Sequence, residues 1–223
     1  MPLLSAAQNG VISPTPLALQ RLGLIEYPSA LEIQRSLHAE VATGSRENTL
    51  LLLEHPSVFT AGKRTLESEK PQDGTPVIDV DRGGKITWHG PGQLVGYPIV
   101  RLAKPTELVG FVREIESAII AICAELGIRG ERISGRSGVW VCDQQGDRKI
   151  AAIGIRVASG VSMHGFAINV NPDLSNFNRI VPCGISDAAV TSIARELNQD
   201  VRVDEVLPIV EKCFYESLMK VSA

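Results

Sequence analysis

Apolar residues recur along this chain at helical spacing in some stretches and in short unbroken runs in others. An extended segment starts near Leu19 and carries Leu24, Ile25 and Tyr27. Pro28 then opens a helix in which Ala30, Leu31, Leu37 and Val41 repeat at helical intervals, and Gly44 ends it. Thr49-Leu50-Leu51-Leu52-Leu53 is a continuous apolar run, which predicts a strand buried on both faces. Residues 57–61, 77–80, 86–88 and 94–100 read as extended, divided by Gly, Pro and Asp. The clearest helix runs from Glu107 to Leu126, with Leu108, Phe111, Val112, Ile115, Ile119 and Ile122 on one face and Gly127 as its stop.

Residues 138–142, 149–157 and 161–171 read as consecutive strands, with turns at Gln145-Gly146-Asp147 and at Ser159-Gly160. Asp187 is expected to cap a helix through Leu197, and Asp204 another through Met219. Strands cluster in the middle of the chain and helices are interspersed. This favours an α+β fold with a mixed β-sheet core and flanking helices over a doubly wound parallel fold. No repeat or linker divides the chain, so one domain over 17–223 is expected, after a flexible N-terminal tail over 1–16.

The charge balance, 22 Lys and Arg against 25 Asp and Glu, argues against a broad electrostatic grip on nucleic acid. Five Phe, three Tyr and two Trp also supply few platforms for base stacking. The cysteines, Cys123, Cys142, Cys183 and Cys213, form no CxxC or CxxH pair, so no structural zinc site is expected. Scattered thiols, a non-basic N-terminus and the lack of an 18-residue apolar run predict a cytoplasmic protein with no membrane partner. Nothing flags an obligate interface, and a monomer is expected.

Three stretches carry candidate chemistry. Arg82-Gly83-Gly84-Lys85-Ile86-Thr87-Trp88-His89-Gly90-Pro91-Gly92-Gln93 holds four glycines whose backbone N–H groups can line a ligand site, yet it contains neither a Walker A loop nor GxGxxG. A hairpin with awkward turns would read the same way. The second stretch is Lys149 to Arg156. In the third, Ile180 to Ile185, Cys183 stands between Pro182 and Gly184 and therefore in a turn. Taken alone, Cys183 reads as a half-buried inert thiol and Lys149 as a solvated surface lysine.

The succession RGG, T, HGPGQ (82–93), K with A-I-G-I (149–155), HGFAINVN (164–171) and PCGI (182–185) resembles the lipoyl (octanoyl) transferases, the octanoyl-acyl-carrier-protein:protein N-octanoyltransferases. Leu53-Glu54-His55-Pro56, Phe59-Thr60-Ala61-Gly62, Gly138-Val139-Trp140 and Thr191-Ser192-Ile193 extend the resemblance from about Leu17 to the C-terminus. It implies the catalytic-domain fold of the biotin and lipoate protein ligases. Trp88 stands where that family has Tyr, and Phe59 and Ala61 replace Tyr and Leu.

The resemblance implies that Cys183 is the acyl-thioester nucleophile and that Lys149 lowers its pKa. It places acyl binding on Arg82, Gly83, Gly84, Lys85, Ile86, Thr87, Trp88 and His89, on Ala152, Ile153 and Gly154, and on Gly165, Phe166 and Ala167. Ile86, Trp88, Ile153, Phe166 and Ala167 have the character to line an alkyl slot, and serve equally as core. Backbone N–H groups near Gly154 or Cys183, and the His89 ring, are candidate oxyanion donors. His55 and His164 read as structural, and Arg82 either contacts a carrier phosphate or pairs with Asp79 or Asp81.

The implied donor is octanoyl-acyl carrier protein, carried on phosphopantetheine. The implied acceptors are lipoyl domains of 2-oxoacid dehydrogenase E2 subunits and the glycine cleavage H protein, with no ATP and no metal. An ATP-dependent lipoate or biotin ligase and a non-catalytic lipoyl-domain or carrier-binding module are the competing readings. Cys183 counts against the ligase, and no Cys/His/Asn context favours a papain-like hydrolase.

Overall fold

A computed structural model of the protein describes residues 17–180 and 189–223. The expected tail over 1–16, Cys183 with its Pro182-Cys183-Gly184 turn, and Asp187 lie outside these residues. The described elements run β1 (Leu17–Leu24), α1 (Tyr27–Thr43), β2 (Asn48–Glu54), β3 (Val58–Ala61), β4 (Val77–Asp79), β5 (Thr87–His89), β6 (Gln93–Ile99), α2 (Leu108–Glu125), β7 (Glu131–Ile133), β8 (Arg136–Asp143), β9 (Gly146–Ala158), β10 (Val161–Asn169), β11 (Ala189–Val190), α3 (Ile193–Leu197) and α4 (Val203–Leu218).

The large sheet has the spatial order β1-β2-β6-β10-β9-β8-β7, with β11 beside β9. β1–β2 and β11–β9 pair parallel and the others antiparallel, so the sheet is mixed. Its centre is buried on both faces, as the leucine run of β2 requires. Leu50 and Leu52 point into one cluster with α2 (Phe111, Ile115, Ile119, Ile122) and α4 (Val206, Val210, Phe214). Leu51 and Leu53 point into the other, against Ala30, Leu37 and Val41 of α1. A strand with period two feeds two layers in this way, and helices on both sides complete an α/β/α sandwich.

Three antiparallel strands meet where β6, β10 and β9 carry glycines. Gly96 of β6 pairs with Phe166 of β10, and a Cβ at Gly96 would stand 2.0 Å from the Phe166 ring. Gly165, the residue before Phe166, brings its backbone to the Gly96 carbonyl; a Cβ there would lie 2.0 Å from that oxygen.

Several expectations are corrected. A second sheet, β4-β3-β5, stands apart from the large one over a cluster of Phe59, Ile86, Trp88, Phe177 and Ile180. The short polar strand β7, Glu131-Arg132-Ile133, has no apolar alternation and was not expected. The helix expected from Asp187 is confined to Ile193–Leu197: Ala189–Val190 is a strand, and the Ser192 hydroxyl accepts the Arg195 N–H as the cap. Asp204 sits in the first turn of α4 instead of capping it; Glu205 reaches back to accept the Arg202 N–H at 2.7 Å. The β8–β9 turn is Gln144-Gln145, one residue earlier than expected, because Asp143 pairs with Gly146. Ser159 and Gly160 do form the β9–β10 turn, both with positive φ (51° and 74°), as a two-residue type I′ connection demands. No helix among the described residues is long and apolar enough to cross a membrane.

Candidate active site

β9 and β10 form the floor of a cleft of about 220 Å³. Ala152 pairs with Ala167, Ile153 with Phe166 and Gly154 with Gly165, so two stretches distant in sequence become neighbours residue for residue. All six line the cleft. The glycine-rich loop closes over them: Gly83 N–H donates to the Ile155 carbonyl at 3.0 Å. From that loop and β5, Arg82, Gly84, Lys85, Thr87 and His89 line the cleft as well. The volume falls below the roughly 300–1,000 Å³ usual for drug-sized ligands, which suits a slender one.

Ile86 and Trp88 do not line the cleft. They are fully buried beneath β3 and β5, where Trp88 meets Phe177 edge to face and donates Nε1–H to Ser57 Oγ at 2.9 Å. The alternation of a strand explains this: Lys85, Thr87 and His89 take one face, so Ile86 and Trp88 must take the other. Gly83 holds the loop to β9 and is not part of the lining.

Arg82 is a fastener of the loop. Its guanidinium donates to the carbonyls of Gly83, Lys85 and Thr60 at 2.8–3.0 Å, and to Thr60 Oγ1. The expected Asp81 and Asp79 partners are engaged elsewhere. Asp81 accepts from Arg156 at 2.5 Å and from His164 Nε2 at 2.8 Å, and Asp79 faces Lys70.

Lys149 is buried in the lining, with Nζ 4.6 Å from the centre of the Trp140 ring. Among the described residues no carboxylate pairs with it. A buried ammonium resting on an indole face keeps part of its charge compensated and remains free to meet an anion. Cys183, its expected partner, lies outside the described residues. The three described cysteines, Cys123, Cys142 and Cys213, do not line the cleft. Burial pushes the Cys123 thiol up to about 12, and burial with Asp147 beside it pushes the Cys142 thiol up to about 11, which favours the protonated thiol in both.

Three buried histidines are shifted toward the neutral form. Burial, with the charge of His55 adding to it, pushes His89 down to about 3, and burial also lowers His55 and His164. His164, at a positive φ of 57°, donates its backbone N–H to Gln34 Oε1 at 3.0 Å and lines the cleft. His55 joins the Ile25 carbonyl to the Tyr97 hydroxyl.

Sequence reading missed Tyr27, Tyr97, Arg64 and the Gly135-Arg136-Ser137 segment, all in the lining. Tyr97 between Gly96 and Pro98 was the available signal, since a phenol inside an apolar strand asks for a partner. With Arg64, Arg82, Lys85, Arg136 and Lys149 the cleft has five cations and, among the described lining residues, no carboxylate. Lys85 and Arg136 are paired just outside the lining, with Glu69 and with Asp147 at 3.5 Å, so this positive charge is partly offset.

Comparison with known proteins places these features in context. Residues 26–215 match the family described as the lipoyl protein ligase A/B catalytic domain. An octanoyltransferase of Salinispora tropica is 59% identical over 198 residues, covering 88% of this chain and 93% of that protein. The fold is similar to a bi-partite lipoate protein ligase of Thermoplasma acidophilum (TM-score 0.69, 17% identity, 92% of this chain and 84% of that one). It is also similar to the biotin protein ligase of Aquifex aeolicus in complex with biotin and ATP (TM-score 0.53, 19% identity, 92% and 70%).

Proposed function

We propose, since the chain belongs to the lipoyl protein ligase A/B catalytic domain family and is an octanoyltransferase, that it moves the octanoyl group through a thioester on Cys183. The donor is octanoyl-acyl carrier protein, and the acceptor is the target lysine of lipoyl domains in 2-oxoacid dehydrogenase E2 subunits and the glycine cleavage H protein. The observation that carries this reading is Lys149: a buried ammonium with no carboxylate partner among the described residues, at the edge of a slot floored by Ala152, Ile153, Phe166 and Ala167.

In the first half-reaction the Cys183 thiolate attacks the donor thioester carbonyl and forms the octanoyl-enzyme. The phosphopantetheine thiolate leaves and takes its proton from Lys149. Neutral Lys149 then accepts one proton from the incoming lysine ammonium. The amine attacks the thioester, the Cys183 thiolate is expelled, and the second nitrogen proton passes to solvent. The dyad is thereby restored. A thiol of pKa about 8.5 is only about 3% thiolate at pH 7, and a neighbouring ammonium that brings it to about 7 raises that share roughly fifteen-fold.

Thioester to amide is downhill, so the reaction draws on neither ATP nor a metal. Burying the seven CH₂ and CH₃ groups of the chain supplies about 5–6 kcal/mol, at about 0.8 kcal/mol each, before binding costs. The cationic lining suits the phosphate of the carrier arm. We read the protein as a cytoplasmic monomer. The test mixes protein, octanoyl-acyl carrier protein and a lipoyl domain without ATP. Octanoylated domain should form with the wild type and not with Cys183→Ser; a requirement for ATP would refute the reading.

A further inference from the structure

Two hydrogen-bond chains run into the polar end of the cleft, and each is anchored on a backbone carbonyl, which accepts and never donates. The first begins at Thr191. Its carbonyl receives Asn169 Nδ2–H at 2.9 Å, so the Asn169 amide turns Oδ1 toward Gln93. Gln93 Nε2–H donates to that oxygen at 2.9 Å, which leaves Gln93 Oε1 facing His89 Nδ1 at 2.7 Å. Direction passes along the chain: an acceptor opposite Nδ1 requires the proton on Nδ1, and the lone pair of the neutral ring therefore sits on Nε2.

The second chain begins at Ile25, whose carbonyl lies 2.7 Å from His55 Nδ1 and fixes the proton there. His55 Nε2 is then an acceptor, and the Tyr97 hydroxyl 2.8 Å away must donate to it. The oxygen of Tyr97 keeps its lone pairs. Gln93, Asn169, His55 and Tyr97 are all buried, so water does not compete for these bonds. The Thr191 N–H also donates to the Lys149 carbonyl at 2.9 Å, tying the first chain to the strand that carries Lys149.

Both chains therefore deliver acceptors to one cleft, which His89 and Tyr97 line together. We propose that His89 Nε2 and the Tyr97 oxygen dock the attacking amine of the lipoyl-domain lysine, and that Gln93 and Asn169 are positioning residues that hold His89 in the accepting tautomer. The inference rests on the thioester reading above. Of the reacting groups, the amine alone brings N–H donors to the reacting atom. After losing one proton it keeps two, and two acceptors that hold those protons leave its lone pair available for the attack. An oxyanion at the same place would face lone pairs, so the His89 ring is removed from the candidate oxyanion donors.

The experiment has two arms on the full-length protein. In long-range ¹⁵N–¹H NMR of the histidine-labelled wild type, His89 should show a protonated Nδ1 and an unprotonated Nε2; the opposite tautomer or an imidazolium would overturn the proposal without any variant. In single-turnover kinetics, Gln93→Ala and Asn169→Ala should slow transfer from preformed octanoyl-enzyme to a lipoyl domain by about tenfold or more, as expected for lost orientation. Acylation by octanoyl-acyl carrier protein should stay within about threefold of wild type, since no amine takes part in it. Equal slowing of both half-reactions would reduce Gln93 and Asn169 to structural residues and refute the docking site. Failure of the wild type to form any octanoyl-enzyme would instead refute the thioester reading.

Discussion

Gly96→Ala tests whether the floor of the cleft is as tightly specified as the contacts imply. The added Cβ would stand 2.0 Å from Phe166 Cζ and 2.4 and 2.6 Å from its Cε atoms. The ring has no room to withdraw on its far side. It is stacked on Phe214 of α4, with centroids 4.0 Å apart and planes within 3°. Relief must come from parting β6 and β10, shifting α4, or tilting the ring into the cleft. Overpacking of this kind costs about 1–3 kcal/mol. For a chain of this size each kcal/mol moves Tm by about 2–4 °C, so a fall of about 2–12 °C is expected by calorimetry or circular dichroism. A tilted ring also narrows the acyl slot, so KM for the octanoyl donor should rise. Phe166→Leu in the same chain removes the atoms that clash, and the double variant should recover at least half of the lost stability, giving a coupling of about 1 kcal/mol or more. A Gly96→Ala protein that melts within 1 °C of wild type would refute the reasoning, as would additive effects of the two substitutions.

Three further outcomes follow from named contacts. His89 is held at about 3 by burial, against about 6.5 in the unfolded chain, and His55 and His164 are lowered in the same direction. The unfolded state therefore binds more protons below pH 6.5; urea titrations should show stability falling as pH drops from about 6.5 toward 3, by up to about 1.4 kcal/mol per pH unit for His89, with His55 and His164 acting in the same direction. Stability unchanged between pH 7 and 4.5 would contradict it. Lys149→Met should cut the thiolate share of Cys183 at pH 7 roughly fifteen-fold and slow its alkylation by iodoacetamide by about threefold, because the more basic thiolate is also the better nucleophile, with the gap closing above pH 9 as the thiol ionises unaided; equal rates at pH 7 would dissolve the dyad. Glu116, fully buried, accepts from Arg113 at 2.7 Å, Arg132 at 2.9 Å and the Gly138 N–H at 3.1 Å. Glu116→Ala should cost about 3 kcal/mol in urea unfolding, the low end for breaking a buried pair because both arginines can rehydrate; a loss under about 1 kcal/mol would refute it.

The sequence disclosed those elements whose apolar pattern reports burial directly. The leucines of β2 alternate between two clusters, and the face of α2 carries Phe111, Ile115, Ile119 and Ile122, so both could be read from period alone. β7 and β11 could not, because they are held by backbone pairing with β8 and β9 and bury little of their own. The separate sheet β4-β3-β5 was hidden for a related reason: which strand a short extended segment joins is decided by partners far along the chain. At the cleft, the motifs picked out the loop and strands that line it, but not which way each side chain turns. Ile86 and Trp88 looked like slot residues beside Thr87 and His89, and one step of strand alternation sends them into the opposite cluster. Arg82 looked like an anion contact, and its peptide-oxygen partners on β3 emerge only when the loop is folded back. The accepting roles of His89 and Tyr97 depend on carbonyls of Thr191 and Ile25, which no local pattern announces.

The most direct test of the account is intact-mass spectrometry of the protein after mixing with octanoyl-acyl carrier protein, without ATP and without acceptor. The account predicts a gain of one octanoyl group, mapped to the peptide containing Cys183, abolished by Cys183→Ser and discharged on addition of a lipoyl domain. An unmodified protein that nonetheless octanoylates the domain would contradict it, because the acyl group would then pass from donor to acceptor without resting on the enzyme.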